Sequence, residues 1–226
     1  MLRVVNDIEA KINKNEVCQY LGYKRGRSPT PHVSSVIDSQ LDEAHALIKP
    51  QACYAIEPIV GVNSSTLSVD GLVFTSRHIA PIFSGCSQAV LFLVTIGGSL
   101  ERKVARLMKQ GLTLESVIMD SIGSVAVEKV ADWLEDLVRN IAATNGDKVG
   151  WRYSPGYCDW DITQQQELFR VFDDKSIGVN LSSACVMMPR KSISGIIGVG
   201  KSCTTSSACR FCNKKDCPTR REEFAP

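Results

Sequence analysis

The sequence predicts an α+β fold, a twisted antiparallel or mixed sheet with helices packed on it. Three observations carry that reading. Helical and strand patterns are intermixed along the 226 residues. Residues 89–95 form an unbroken apolar and β-branched run closed by Gly97-Gly98, too short for a helix and apolar enough for a strand buried on both faces. The last two strand patterns, residues 179–187 and 192–199, read as a hairpin joined through Pro189-Arg190-Lys191, which favours antiparallel pairing over a doubly wound parallel sheet.

The elements follow in order. Residues 5–21 read as a short helix, and the Arg-, Ser- and Pro-rich stretch 24–35 as a loop. A second helix spans 34–48, with Ile37, Leu41 and Leu47 on one face, and Pro50 stops it because proline has no N–H to continue the ladder. Residues 53–62 and 67–74 read as strands with a turn between them, and 76–83 as a short helix. After the buried strand comes a helix with Leu100, Val104, Leu107 and Met108 on one face. From 114 to 143 apolar residues recur at threes and fours (Val117, Ile118, Ile122, Val125, Leu134, Val138), predicting one long helix or two broken near Gly123, ended by Asn145-Gly146. Thr163 with Gln166 forms a T-x-x-Q capping pattern, opening a helix to residue 172. Three regions result: 1–84, a helical and strand segment packed on the rest; 85–200, the main region; and 201–226, a cysteine-rich tail.

A content of 44% hydrophobic residues suffices for a substantial core, and a net charge of +2 implies neither nucleic acid nor an anionic membrane as a general partner. The excess is local: from Lys201 onward six basic residues face three acidic ones, so the tail is +3. No run of eighteen apolar residues occurs, and Asp7, Glu9, Lys11 and Lys14 interrupt the start, unlike a secretory signal. The expected location is cytoplasmic. In a reducing compartment nine cysteines are not a disulfide framework; clustered ones point to metal and scattered ones to core.

Cys203, Cys209, Cys212 and Cys217 give C-x5-C-x2-C-x4-C within fifteen residues. Four thiolates at such spacings satisfy a tetrahedral zinc ion, with Cys209 and Cys212 as the short-spaced pair. They equally satisfy an iron-sulfur cluster, and Cys217-Pro218 matches the ending of ferredoxin-type ligand runs. Arg210, Lys214, Lys215, Arg220 and Arg221 either offset the charge of such a cluster or make a small zinc knuckle that grips phosphate.

Three stretches together resemble the AdoMet-binding activation domain of B12-dependent methionine synthase. The first is residues 91–98, Leu-Phe-Leu-Val-Thr-Ile-Gly-Gly, followed by the long helix carrying Val127-Glu128-Lys129-Val130-Ala131-Asp132. The second is Arg152-Tyr153-Ser154-Pro155-Gly156-Tyr157, an R-x-x-P-G-Y signature. The third leads from Leu181-Ser182-Ser183-Ala184 through Met187-Met188-Pro189 to Ser192-Ile193-Ser194-Gly195. The cysteine tail is similar to that of stand-alone relatives of the domain. The resemblance implies AdoMet in a shallow groove, contacted by Glu128, Arg152, Tyr153, Ser154, Pro155, Gly156 and Tyr157. A guanidinium holds a carboxylate bidentately, a carboxylate balances an ammonium or sulfonium, and glycine lets backbone approach a ligand. By order alone, Asp70 stands where the family has an acidic residue near its domain start. The family's tyrosine downstream of S-x-S-G has no counterpart.

No D-x-H-x-x-G cobalt-ligating motif surrounds His32, His45 or His78, the last two reading as helix-surface residues. Cobalamin is therefore expected on a partner protein, with an electron donor, and the nucleophile is its cobalt, so no catalytic side chain is expected. The function that the resemblance implies is a stand-alone activation subunit of a B12-dependent methionine synthase or related corrinoid methyltransferase, binding AdoMet for reductive remethylation of cob(II)alamin on a partner protein. In that context the tail reads as iron-sulfur before zinc. The alternatives are an iron-sulfur electron-transfer or redox-sensing module, and a zinc-bearing interaction or nucleic-acid-binding protein.

Overall fold

A computed structural model describes residues 1–23, 27–172 and 177–204. Its strands are β1 (Arg3–Val5), β2 (Gln51–Val62), β3 (Thr66–Val69), β4 (Leu72–Thr75), β5 (Gln88–Thr95), β6 (Lys148–Tyr153), β7 (Asn180–Leu181), β8 (Met187–Met188) and β9 (Ser192–Gly200). Seven of them make one sheet in the order β4-β3-β2-β5-β9-β6, with β1 also on β2, and every pairing is antiparallel. The helices are α1 (Lys14–Tyr20), α2 (Pro31–Leu47), α3 (Ser99–Lys109), α4 (Thr113–Thr144) and α5 (Gln165–Phe169). This is the α+β antiparallel class that the sequence predicts.

The apolar run becomes β5, at the centre of the sheet. Successive strand side chains point to opposite faces. Val90, Phe92 and Val94 enter a core beneath α4, while Ala89, Leu91 and Leu93 enter a second core lined by Phe74, Phe83 and Trp160. A strand that feeds two cores must be apolar at every position. Helix α4 covers the first core, and α1, α2 and α3 pack on it. At 32 residues it is about 48 Å long.

Helix α4 is not broken at Gly123. A Cβ there would lie 2.7 Å from Leu100 Cδ2, so this glycine lets α3 cross close to α4. Residues 5–21 are not one helix. The β-branched Val4 and Val5 extend β1 along the edge of β2, and α1 starts only where the Asn13 side chain accepts from the Asn15 amide. The expected strand 67–74 is two strands, because Asp70 (φ 41°) and Gly71 (φ 80°) turn the chain between them. The expected helix 76–83 is a 3-10 turn over Ala80–Phe83.

The closing hairpin is also differently placed. It lies within residues 180–188, where β7 pairs β8 around a turn in which the Val186 amide donates to Ser182 Oγ at 3.0 Å. Strand β9 instead inserts between β5 and β6. Asp161, not Thr163, caps the next helical segment, accepting from the Thr163 amide at 2.8 Å. A 3-10 turn, Ile162–Gln164, then leads into α5, which ends at Phe169.

Candidate functional site

Between Val149 and Arg152, β6 spends three residues where β9 spends two, from Val199 to Ile197. This is a β-bulge, and an extra residue changes which face the next side chain takes. Val149, Val199 and Ile197 all belong to the helix-side core, so the bulge aims Arg152 at α4 as well. Without it the guanidinium would fall on the opposite face, where Tyr153 packs against Phe83 at 5.9 Å.

On α4, Glu128, Asp132 and Glu135 are spaced by four and three, one stripe of a 3.6-residue helix. All three meet Arg152. Its Nη2 lies 2.5 Å from Glu128 Oε2, and its Nη1 lies 2.9 Å from Asp132 Oδ1 and 3.1 Å from Glu135 Oε1. The Arg152 side chain is 7% exposed and Glu135 8%, whereas Glu128 and Asp132 are 35% and 38% exposed. Burial alone would lower the pKa of Arg152; the charges of Glu128, Glu135 and Asp132 outweigh it and raise the pKa. Lys129 extends the network, 2.6 Å from Glu16 on α1. The buried base of the seam is thus the Arg152–Glu135 ion pair, and its open rim, formed by Glu128 and Asp132, is anionic.

The remaining signature residues follow β6 directly. Ser154-Pro155-Gly156-Tyr157 closes a turn in which the Tyr157 amide donates to Ser154 O at 3.1 Å, with Gly156 at φ 97°. That arrangement, proline second and a positive-φ glycine third, is a type II turn, and the third position excludes a Cβ at ordinary cost. The Gly156 amide donates to Trp160 O at 2.7 Å, and Trp160 is buried against Phe74 at 5.6 Å. Tyr157 is 47% exposed. The structure therefore brings Glu128 and Arg152 together and sends the backbone of residues 154–157 onward from them. It does not bring Tyr153, which is buried in the other core, to the same face.

Asp159 anchors this loop from outside. Its carboxylate accepts from Ser76 Oγ at 2.5 Å and from the Arg77 amide at 2.7 Å, and His78 Nδ1 lies 3.1 Å away. His78 is accordingly a loop residue paired with Asp159, not a helix-surface residue. Partial burial opposes ionisation of Asp159, and the hydrogen bonds from Ser76, Arg77 and His78 outweigh it, holding its pKa to about 2. A depressed folded-state pKa contributes stability above the unfolded value of 3.8 that is lost as pH falls through about 2. Asp159→Asn is expected to cost about 1 to 2 kcal/mol at neutral pH. Denaturant titrations should show that deficit shrinking below pH 3.8 and nearly gone by pH 2; a deficit independent of pH would remove the charge from this account.

Asp132, Glu135, Ser76 and Asp159 are contributors that the sequence reading did not single out. The first two were accessible from their helical spacing to Glu128; the loop partners carry no periodic signal. Asp70 sits exposed at the tip of the β3–β4 turn. Among the metal candidates, Cys209, Cys212 and Cys217 lie outside the described residues. Cys203 is joined to Cys86 in a disulfide. Among the described residues, no group of three or more His, Cys, Asp or Glu side chains is placed to hold a metal ion. No helix among them is long and apolar enough to cross a membrane.

The crystal structure of the MetH reactivation domain bound to AdoHcy shares this fold at a TM-score of 0.63 and 15% identity, over 92% of this chain and 81% of that one. No curated protein matches the sequence. The family described as vitamin B12 dependent methionine synthase, activation domain, matches residues 76–205, more than half of the chain and all of the Arg152 seam. The bulged strand, the turn that follows it and the acidic stripe of α4 are thus the local architecture of a chain that belongs to the B12-dependent methionine synthase activation domain family.

Proposed function

We propose that this chain is a stand-alone activation subunit that binds AdoMet at the Arg152 seam and serves the remethylation of cob(II)alamin carried by another cytoplasmic protein. The observation that carries the proposal is the pairing of a buried Arg152 with the partly open carboxylates of Glu128 and Asp132, at the entrance to the Ser154–Tyr157 turn. These residues fit the group. The amino-acid end of AdoMet bears an ammonium and a carboxylate, so it can insert between Glu128 and Arg152, exchanging one ion pair for two. Glu128 and Asp132 then face the ammonium, and Arg152 presents its N–H edge to the carboxylate. Pro155 and Gly156 keep side-chain bulk away from the rest of the ligand, and Tyr153, Ser154 and Tyr157 hold the turn. Bound AdoMet supplies an electrophilic methyl group and the partner's cobalt supplies the nucleophile, so the protein's work is placement.

The electron that this chemistry needs must come from a donor, and the cysteine tail is read as an iron-sulfur site suited to relay it. The test uses the anaerobically purified chain with a corrinoid protein, a low-potential reductant and AdoMet. Conversion of the cob(II) spectrum to methylcobalamin, faster with the chain than without it, is the expected result. Equal rates with and without the chain would defeat the proposal. Binding of the corrinoid protein without AdoMet-dependent conversion would favour the electron-transfer reading instead.

A further inference from the structure

The fold closes one sulfur pair that no sequence spacing announces. Cys86 lies in the turn between the Ala80–Phe83 segment and β5, with its amide donating to Phe83 O at 3.0 Å. Cys203 follows β9 and is joined to it in a disulfide across 117 residues, with the two Cα atoms 4.8 Å apart. Backbone is committed to this approach on both sides. A Cβ on Gly198 would lie 2.6 Å from Cys86 Sγ, one on Gly200 would lie 2.7 Å from the Ser87 amide nitrogen, and one on Gly85 would lie 2.6 Å from Ser202 O. The Ser87 amide also donates to Val199 O at 2.9 Å. These contacts hold the sulfurs as neighbours without help from the bond, so its closure is an intramolecular step at high effective concentration. Access is unequal. Cys203 is 5% exposed, whereas Cys86 is half-buried in a turn whose Gly85 and Ser87 are exposed. The place in the sheet also matters: Lys148 with Gly200 and Val149 with Val199 are the pairs that start the register of β6 on β9, and the bulge that aims Arg152 at α4 begins at Val149.

We propose that Cys86 and Cys203 are a reversible redox pair, opened by a dithiol and closed by a small disulfide, whose closed form staples the end of β9 from which β6 and Arg152 take their register. A disulfide with one accessible sulfur is open to exchange, and exposed disulfides are the labile, regulatory kind. In the opening step a thiolate of the dithiol attacks the Cys86 sulfur, and Cys203 leaves as a thiolate that takes up a proton. The second sulfur of the dithiol then displaces Cys86, which takes up the other proton. One S–S bond is broken and one is formed: the chain gains two electrons and two protons, and the dithiol becomes a disulfide. Closure by a small disulfide runs the exchange the other way and leaves two small thiols. The inference needs neither AdoMet nor a metal, since Cys203 carries no free thiolate while the pair is closed.

The full chain, kept anaerobic with a chelator present, is treated without denaturant first with dithiothreitol and then, after its removal, with oxidised glutathione. Samples are quenched in acid, free thiols are alkylated in denaturant, and pairings are mapped by mass spectrometry. Cys86 and Cys203 are expected to pass together from disulfide to two thiols and back. Urea unfolding of the two forms should differ by on the order of 1 M in midpoint, the reduced form unfolding first, because the bond removes loop-closure entropy from the unfolded chain. Cys86→Ser should unfold near the reduced wild type and show no response to dithiothreitol, which assigns the shift to this bond rather than to any other cysteine. Pairing of Cys203 with a different cysteine, a Cys86–Cys203 bond that opens only in denaturant, or a midpoint unchanged on reduction overturns the proposal. The exchange cycle is read on the wild type, so it decides the matter even where the variant folds poorly.

Discussion

Arg152→Ala is expected to cost the fold about 3 to 5 kcal/mol, because it leaves the carboxylates of Glu128, Asp132 and Glu135 facing one another with their shared cation removed. Glu135 bears most of this. It is 8% exposed, so water cannot replace the guanidinium there, and its ion pair with Arg139, at 3.6 Å, is longer than that with Arg152. Arg152→Lys restores one positive charge but not the two nitrogens that Glu128 and Asp132 occupy separately, so it should recover only part of the loss. Urea or guanidinium unfolding of the two variants and wild type is the check. A loss below about 1 kcal/mol for Arg152→Ala would mean that the seam is solvated like an ordinary surface pair.

Glu128→Gln should separate ligand from fold. Asp132 and Glu135 still hold Arg152, and Glu128 is 35% exposed, so stability should change by less than about 1 kcal/mol. Affinity for AdoMet should fall further, by about 2 to 3 kcal/mol, since a charge-assisted contact to the ligand's ammonium becomes a neutral one. Calorimetric titration alongside denaturant unfolding reads both numbers on the same preparations. Equal losses in stability and affinity would make Glu128 a structural residue only.

Much of this was legible before any coordinates. Strand β5 announced itself because a strand feeding two cores has no polar position to confuse its pattern. Helix α4 was equally plain over most of its length, and Gly123 raised a break only because a sequence does not show that Leu100 of α3 needs the missing Cβ. The Arg152 motif was found by its order with neighbouring stretches. Its ion-pair network was not, since the bulge that turns Arg152 toward α4 depends on the register between β6 and β9. Asp159 and Cys86 escaped for the same reason: their partners lie 83 and 117 residues away, and nothing local marks them. At the N-terminus, Val4 and Val5 took the edge of β2, a tertiary pairing that outweighed the helical pattern read from 5 to 21.

Titration of AdoMet into the wild-type chain, followed by calorimetry, tests the proposed AdoMet site at the Arg152–Glu128 seam. The expected result is saturable binding of one AdoMet per chain, weakened on the order of 30- to 150-fold by Glu128→Gln. No heat of binding up to millimolar AdoMet, or binding that Glu128→Gln leaves unchanged, would contradict it.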